Sequence, residues 1–271
     1  MQVYFRRNHD NEEEFMECSK YFHTVPHRTG LIEYPKTELI STVICRYSAL
    51  PFNSELATDL YNMRLKPVNS PPEHQYIANM DWIEDIKEYT FPTYFNIIDI
   101  PDSAYPLVIK GRTNSRKFEW NTKMLAITKK DMYNITSELL NDPLIGPQGL
   151  VYRKFIKLET FEIGINDMPM TNEYRCFFYK GVLVDYGYYW SILDDLSKIN
   201  YKEFEAFGLP FAKDMAQIIK EYTNFFVIDV AKDINGKWWV VEINDGQMSG
   251  LSTIPIDRFY YNLNNIMNQY E

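Results

Sequence analysis

Cysteine is scarce. The three present in 271 residues, Cys18, Cys45 and Cys176, are odd in number, scattered and without CxxC spacing, which excludes a disulfide framework and suggests no zinc site. That usage fits a reducing compartment. Long apolar runs are missing too: no stretch approaches the roughly 18 consecutive apolar residues that cross a bilayer, and the opening MQVYFRRNHDNEEEF lacks the apolar core of a secretory leader. The expectation is a soluble, cytoplasmic protein with no membrane partner. Positive charge is short as well. Lys and Arg number 28 against 37 Asp and Glu, giving a net charge of -9 and a pI near 5.1. This argues against a sequence-independent nucleic-acid binder, which needs a cationic surplus to neutralise phosphates, while leaving room for a local basic cleft. No internal repeat or low-complexity tract occurs. GxxxxGK[ST], GxGxxG, GxSxG and HExxH are all absent, and GQMSG places its serine one position late for a nucleophile elbow.

What is present is a chain able to bury a core. Apolar residues make up 45% and aromatics 16%, with 21 Tyr and 17 Phe, far from the composition of a disordered polymer. The length suggests more than one unit, and the pattern divides it at 1–95, 96–157 and 158–271. In the first, QVYF and LISTVICR (39–46) read as strands flanking an acidic helical segment, and HQYIANMDWIEDIKEY (74–89) as one helix. In the second, TYFNIID (93–99), YPLVIKGR and LVYRKFIKLETFEI read as strands, with a helical run through NTKMLAITKKDMYNITSELL. The third holds a hairpin turning at Lys180-Gly181, a helix near FAKDMAQIIKEY, and a closing strand pair around Asn235-Gly236, a strong short hairpin signal.

That closing pair carries the chemistry. FFVIDVAKD places Asp229 near one strand end, and KWWVVEIND places Glu242 and Asn244 at i, i+2, so these two point to one face. Two carboxylates and an amide are hard oxygen donors suited to Mg²⁺. The plainer reading is that all three lie on the solvated face of a half-buried hairpin; the apolar crowd of Phe225 to Ile228 and Trp239 to Val241 makes polar positions there need a reason. Gly246 and Gly250 in the following DGQMSG suit a tight loop, either a plain turn or one that lets backbone approach a ligand.

The order IDVAKD, hairpin, WWVVEINDGQMSGL resembles the C-terminal signature of ATP-grasp proteins, in which Asp, Glu and Asn hold Mg²⁺. The resemblance covers residues 90 to 252. LVIKG resembles the strand carrying the family's first phosphate-gripping lysine, here Lys110. VYRKFIK resembles the adenine-binding hinge, here Lys154, Phe155 and Ile156. YRKF together with EYRCFFYKGVLVDYGYYW most resembles the branch that contains the cell-division-cycle protein assembling a translation initiation factor, alongside phage and bacterial ATP-grasp ligases, with Arg153 and Arg175 as shared basic marks. The resemblance implies an α+β fold: two subdomains, 96–157 and 158–271, sandwiching ATP, preceded by a pre-ATP-grasp α/β domain over 1–95. It further implies Lys110 and Arg175 as catalytic cations. Lys110, Lys117, Arg153, Lys154, Phe155 and Ile156 become nucleotide contacts. Two departures stand out: Lys154 replaces the usual acid before the hinge aromatic, leaving Glu159 or Glu162 for the ribose, and RTNSRKFEW replaces a glycine-rich phosphate loop, leaving Ser115, Arg116 and Lys117 to close over the phosphates. Arg46 is a candidate to face substrate or an ordinary surface charge, and His74 reads as surface polarity.

The function so implied is a Mg-ATP-dependent ligase that activates a carboxylate as its acyl phosphate and joins it to an amine or thiol on a small molecule, peptide or protein end. An ATP-binding assembly factor that clamps a protein partner without ligation is the rival; tyrosines such as Tyr186, Tyr188, Tyr189, Tyr260 and Tyr261 serve either a binding surface or a core.

Overall fold

The structure, a computed structural model, describes residues 1–5, 12–26, 41–47, 52–193 and 195–270. Short runs rich in β-branched and aromatic residues open the chain and pair as a parallel sheet in the order β2-β1-β3-β4, built from β1 (Gln2–Phe5), β2 (His23–Pro26), β3 (Ser41–Arg46) and β4 (Leu65–Pro67). Parallel neighbours require crossovers; helix α1 (Glu12–Cys18) lies between β1 and β2, and α2 (Asn53–Asn62) between β3 and β4. The strand expected from residue 39 is seen from Ser41, its first two positions lying outside the described residues.

The single helix expected over 74–89 is broken. Helix α3 (Pro71–Ala78) begins with prolines in its first turn, where no amide partner is lost, and the Ser70 amide is capped by Glu73. It stops because Met80 takes φ 63, a left-handed conformation that no helix continues through. A separate turn, Trp82–Asp85, follows. The kink swings Ile77, Met80, Trp82, Ile83 and Ile86 into one buried cluster.

A second, antiparallel sheet, ordered β5-β8-β6-β7, comprises β5 (Thr93–Tyr94), β6 (Leu107–Gly111), β7 (Leu125–Ala126) and β8 (Leu150–Lys154). Helix α4 (Lys129–Leu140), started by a Thr128–Asp131 capping box, packs Met132, Ile135 and Leu139 against it. The strand expected over 93–99 ends after two residues; a single 3-10 turn at Ile97–Asp99 replaces it, with Ile98 92% exposed and so buried against no sheet.

After a small hairpin, β9 (Thr160–Ile163) with β10 (Pro169–Thr171), the third large sheet forms from β11 (Glu173–Tyr179), β12 (Val182–Tyr188), β13 (Phe225–Lys232) and β14 (Trp238–Asp245), in the order β12-β11-β13-β14. Lys180 and Gly181 both take positive φ, 48 and 77, which matches the twist of the hairpin they join. Helices α5 (Leu209–Ile219) and α6 (Ile256–Met267) take part in separate buried clusters. Alternate residues of β11 accordingly enter different cores: Tyr174, Cys176 and Phe178 join the α5 cluster, Phe177 and Tyr179 the α6 cluster. Among the described residues no helix is long and apolar enough to cross a membrane.

Asp233 locks the connection between β13 and β14. Its carboxylate accepts from the Asn235 amide at 2.8 Å, the Lys237 amide at 2.9 Å and Trp239 Nε1 at 3.0 Å. Burial opposes the charge, but these donors hold the carboxyl below its ordinary range. A depressed carboxyl pKa contributes stability above the unfolded value and loses it as pH falls through the folded one. Asp233→Ala is therefore expected to lower unfolding free energy by about 2 kcal/mol at pH 7, with the deficit shrinking at pH 3; urea unfolding at both pH values measures it, and an equal deficit at both refutes the charge-assisted account.

Candidate active site

Register across the third sheet assembles a row of charges. Arg175 on β11 stands opposite Asp229 on β13, and Asp229 opposite Glu242 on β14; directly opposed residues share a face. Arg175 Nε and Nη2 donate to the two Asp229 oxygens at 2.9 and 2.8 Å, and Nη1 donates to the Gly250 carbonyl at 2.9 Å. The Tyr189 ring lies 4.7 Å from the same guanidinium. Asp229 is 0% exposed, so this two-pronged contact is what makes an internal carboxylate tolerable. Burial nonetheless raises its pKa, against the pull of Arg175.

Glu242 is answered from the other lobe. Lys110, on β6 of the second sheet, forms an ion pair with it. Burial works against the Glu242 charge, but Lys110, then Arg153, then a side-chain hydrogen bond from Asn244 hold the carboxyl below its usual range. Asp229, Glu242 and Asn244 thus gather on one face, and with Asp229 wholly enclosed that face is not the solvated one considered from sequence.

Between the lobes lies a cavity of about 360 Å³. Phe91, Val108, Trp120, Met124 and Phe155 give it apolar walls, while Lys110, Ser115, Lys117, Glu173 and Glu242 supply polar groups. The segment 154–158 links the two lobes. Lys154 N–H donates to the Pro92 carbonyl at 2.8 Å and Phe155 N–H to that of Pro106 at 2.9 Å, whereas the Ile156 N–H has no partner among the described residues. Leu158 bridges to Asp233 in the third-sheet lobe. Lys117 bonds Tyr189 Oη at 3.1 Å and lies over the Tyr189 and Trp190 rings at 4.9 and 5.1 Å. Burial lowers its pKa, with Glu173 acting in the opposite direction.

Glu173 is a cleft residue that sequence reading missed. Burial, followed by repulsion from Asp229, pushes its carboxyl up to about 8, although Thr171 Oγ1 donates to it at 2.9 Å. The signal was available: Glu173 and Arg175 are an i, i+2 pair in an otherwise apolar strand and share a face.

Other predicted residues are placed differently. Arg153 is buried behind the cleft wall, bonded to Thr90 Oγ1 at 2.9 Å, Thr93 Oγ1 at 3.2 Å and the Val241 carbonyl, with the Phe91 ring 4.8 Å away; burial lowers its pKa to about 10. It ties β8 to β14. Glu159 does not line the cavity: Asn172 bonds it at 2.9 Å and Lys232 lies 3.4 Å away. Glu162 sits 3.9 Å from Lys198, and Arg116 turns to Asp142. Arg46 is neither substrate-facing nor superficial. It is buried, paired with Glu14 at 2.8 Å, and Nη1 donates to the carbonyls of Gly246, Gln247 and Ser249, fixing the loop after β14. His74, read as surface polarity, is 5% exposed and bonded to Asp245 at 3.0 Å. Of the tyrosines, Tyr188 and Tyr260 are core residues at 0% exposure.

Two α+β lobes closing on a cleft, one offering cationic side chains and a hinge, the other acids in a strand pair, define an ATP-grasp architecture. The family model for an ATP-grasp domain, clade family 3, matches residues 98–263, and the chain belongs to that family. No curated protein matches it. Solved structures share the fold at low identity. The RimK domain protein ATP-grasp from Sphaerobacter thermophilus DSM 20745 is 14% identical with a TM-score of 0.55, covering 97% of this chain and 99% of its own. D-alanine–D-alanine ligase from Bacillus anthracis complexed with ATP is 11% identical at TM-score 0.57, covering 100% and 98%. The ATP-grasp ligase PsnB, complexed with a phosphomimetic variant of its minimal precursor, Mg and ADP, is 8% identical at 0.59, covering 100% and 98%.

Proposed function

We propose that the chain is an ADP-forming ligase that uses Mg-ATP to convert a carboxylate into its acyl phosphate and passes the acyl group to an amine. The observation that carries this reading is the convergence of Lys110 from one lobe on the Arg175–Asp229–Glu242 row of the other. In it, residues 1–95 are the pre-ATP-grasp unit, 96–157 the first ATP-grasp lobe and 158–271 the second. The buried free thiols of Cys18, Cys45 and Cys176 fit a cytoplasmic setting.

The donor chemistry fits magnesium. Asp229, Glu242 and Asn244 offer hard oxygens on one face; among the described residues no cluster of three or more His, Cys, Asp or Glu surrounds a cation, which suits an ion that takes few protein ligands and fills its shell with water and phosphate. When bound, Mg²⁺ offsets charge on the phosphate chain. The protein's own groups do the positioning: the Ile156 amide is free for an adenine edge, Phe155 and Trp120 supply apolar walls, and Lys110 and Lys117 are mobile cations for phosphate oxygens. Arg175, immobilised by Asp229, presents fixed charge beside them. Glu159 is excluded as the ribose contact in this conformation by its bonds to Asn172 and Lys232. The neighbours, one a D-alanine ligase and one bound to a precursor, support both small and peptide substrates.

Phosphorus NMR of Mg-ATP with pooled carboxylic acids and amines tests the reading. ADP and inorganic phosphate are expected from the unaltered protein, with the rate in Lys110→Met lower by about 100-fold or more. ATP bound but intact with every pool overturns it.

A further inference from the structure

A second cavity, of about 540 Å³, lies between the N-terminal unit and the first lobe. Asn53, Ser54 and α3 line one side; Arg112–Asn114 and the turn around Pro147 and Gln148 line the other. His74 is in its wall, and the His74 ring is only half satisfied. Nδ1 is 3.0 Å from Asp245 Oδ2. The other Asp245 oxygen already accepts from Asn69 Nδ2 at 3.0 Å and from the Gln247 amide at 2.9 Å. With Asp245 receiving at both oxygens, the hydrogen of the His74–Asp245 bond sits on Nδ1, and the neutral ring turns an Nε2 lone pair outward. Nε2 is buried with no partner among the described residues. A buried acceptor left empty is costly, and a ligand N–H or O–H removes that cost.

Arg112 faces the same cavity. Its guanidinium lies 5.4 Å from the Phe95 ring and against Gly149, where φ +75 and the absence of a Cβ leave it room. Its Nε is buried without a partner, and it makes no ion pair among the described residues. An orphaned acceptor and an orphaned cationic donor in one cavity call for a ligand carrying both an N–H group and an anion.

Two strands connect this cavity to the cleft. On β6, Lys110 lines the cleft and Arg112, just past the strand, lines the second cavity. On β14, Glu242 lines the cleft and Asp245 holds His74, a separation of about 10 Å along a strand. The hinge lies near the other end of β14, where Leu158 bridges Asp233. The second cavity is therefore at the Lys110–Glu242 end, away from the hinge.

We propose that this cavity binds the acceptor, an amine that also bears an acid group such as an α-amino acid, with His74 Nε2 accepting a hydrogen bond from the amine and Arg112 pairing with the carboxylate. Its role as acceptor site rests on the ligase reading; its ligand chemistry does not. The test is the imidazole nitrogen NMR spectrum of full-length protein labelled at its four histidines, with Mg²⁺ and a non-hydrolysable ATP analogue, titrated with each proteinogenic amino acid in turn. At least one is expected to move the Nε2 resonance of His74, identified by its loss in His74→Asn, a variant whose amide can still donate to Asp245. Arg112→Ala is expected to weaken that amino acid by about tenfold or more without changing affinity for the nucleotide analogue. If the analogue binds and no amino acid moves the resonance, or if one binds both variants as tightly as the unaltered protein, the proposal is wrong. If the analogue does not bind, the ligase reading fails instead, and the same titration without nucleotide decides the site by the same outcomes.

Discussion

Glu242→Gln is expected to lower ATP-dependent turnover by roughly 1,000-fold or more, about 4 kcal/mol of transition-state stabilisation, while the far-ultraviolet circular dichroism spectrum stays that of the folded protein. Glutamine keeps the shape and one carbonyl oxygen but removes the charge that, in the proposed mechanism, a metal ion requires. It also leaves Lys110, itself 8% exposed, without its counter-ion. Some loss of thermal stability accompanies the change for that reason, and the activity loss is far larger. A coupled assay of ADP release, alongside nucleotide binding, separates the two effects. Turnover within tenfold of the unaltered protein would remove Glu242 from the metal set.

The second large effect is on stability. Arg175→Met strips Asp229 of both guanidinium contacts at a position of 0% exposure and takes a donor from the Gly250 carbonyl. Removing one partner of a buried ion pair costs about 3–5 kcal/mol, because the remaining charge has neither water nor a counter-charge. Urea unfolding should show a loss of that size. The double variant Arg175→Met with Asp229→Leu should recover most of it, since a well-packed apolar pair replaces an ionic one at little cost, yet remain inactive. A single-variant loss below about 1 kcal/mol would mean that water or another group already satisfies Asp229.

Local signals made much of this legible. The β13–β14 hairpin could be read from Asn235-Gly236 between two apolar runs, and the shared face of Glu242 and Asn244 followed from strand parity alone. The Lys180-Gly181 turn was equally local. Strand pairing was not. That Asp229 is gripped by Arg175 depends on β11 lying beside β13, 54 positions away in the chain, and no property of either segment sets that register by itself. The same limit explains Arg46 and His74. Both sit in polar-looking neighbourhoods, and only tertiary contact with residues 245–249 shows them buried. Glu159 attracted attention by its nearness to the hinge in sequence, whereas Glu173, farther along, is the acid brought to the cleft. The 74–89 helix failed at one residue, Met80, whose backbone conformation its side chain does not announce.

The Lys110–Glu242 pair joins two sheets that the hinge at 154–158 also connects, so each lobe already holds part of what a visiting anion needs. Glu242 is in effect an internal competitor for Lys110. A phosphate chain arriving in the cleft has to displace a carboxylate before it gains the ammonium, and its observed affinity is lower by whatever that exchange costs. A ligand that occupies only the apolar hinge end meets no such rival. For this protein, then, the difference in binding between a nucleoside and its triphosphate reports on an exchange of partners at Lys110, with Mg²⁺ the natural recipient of the carboxylate that is released.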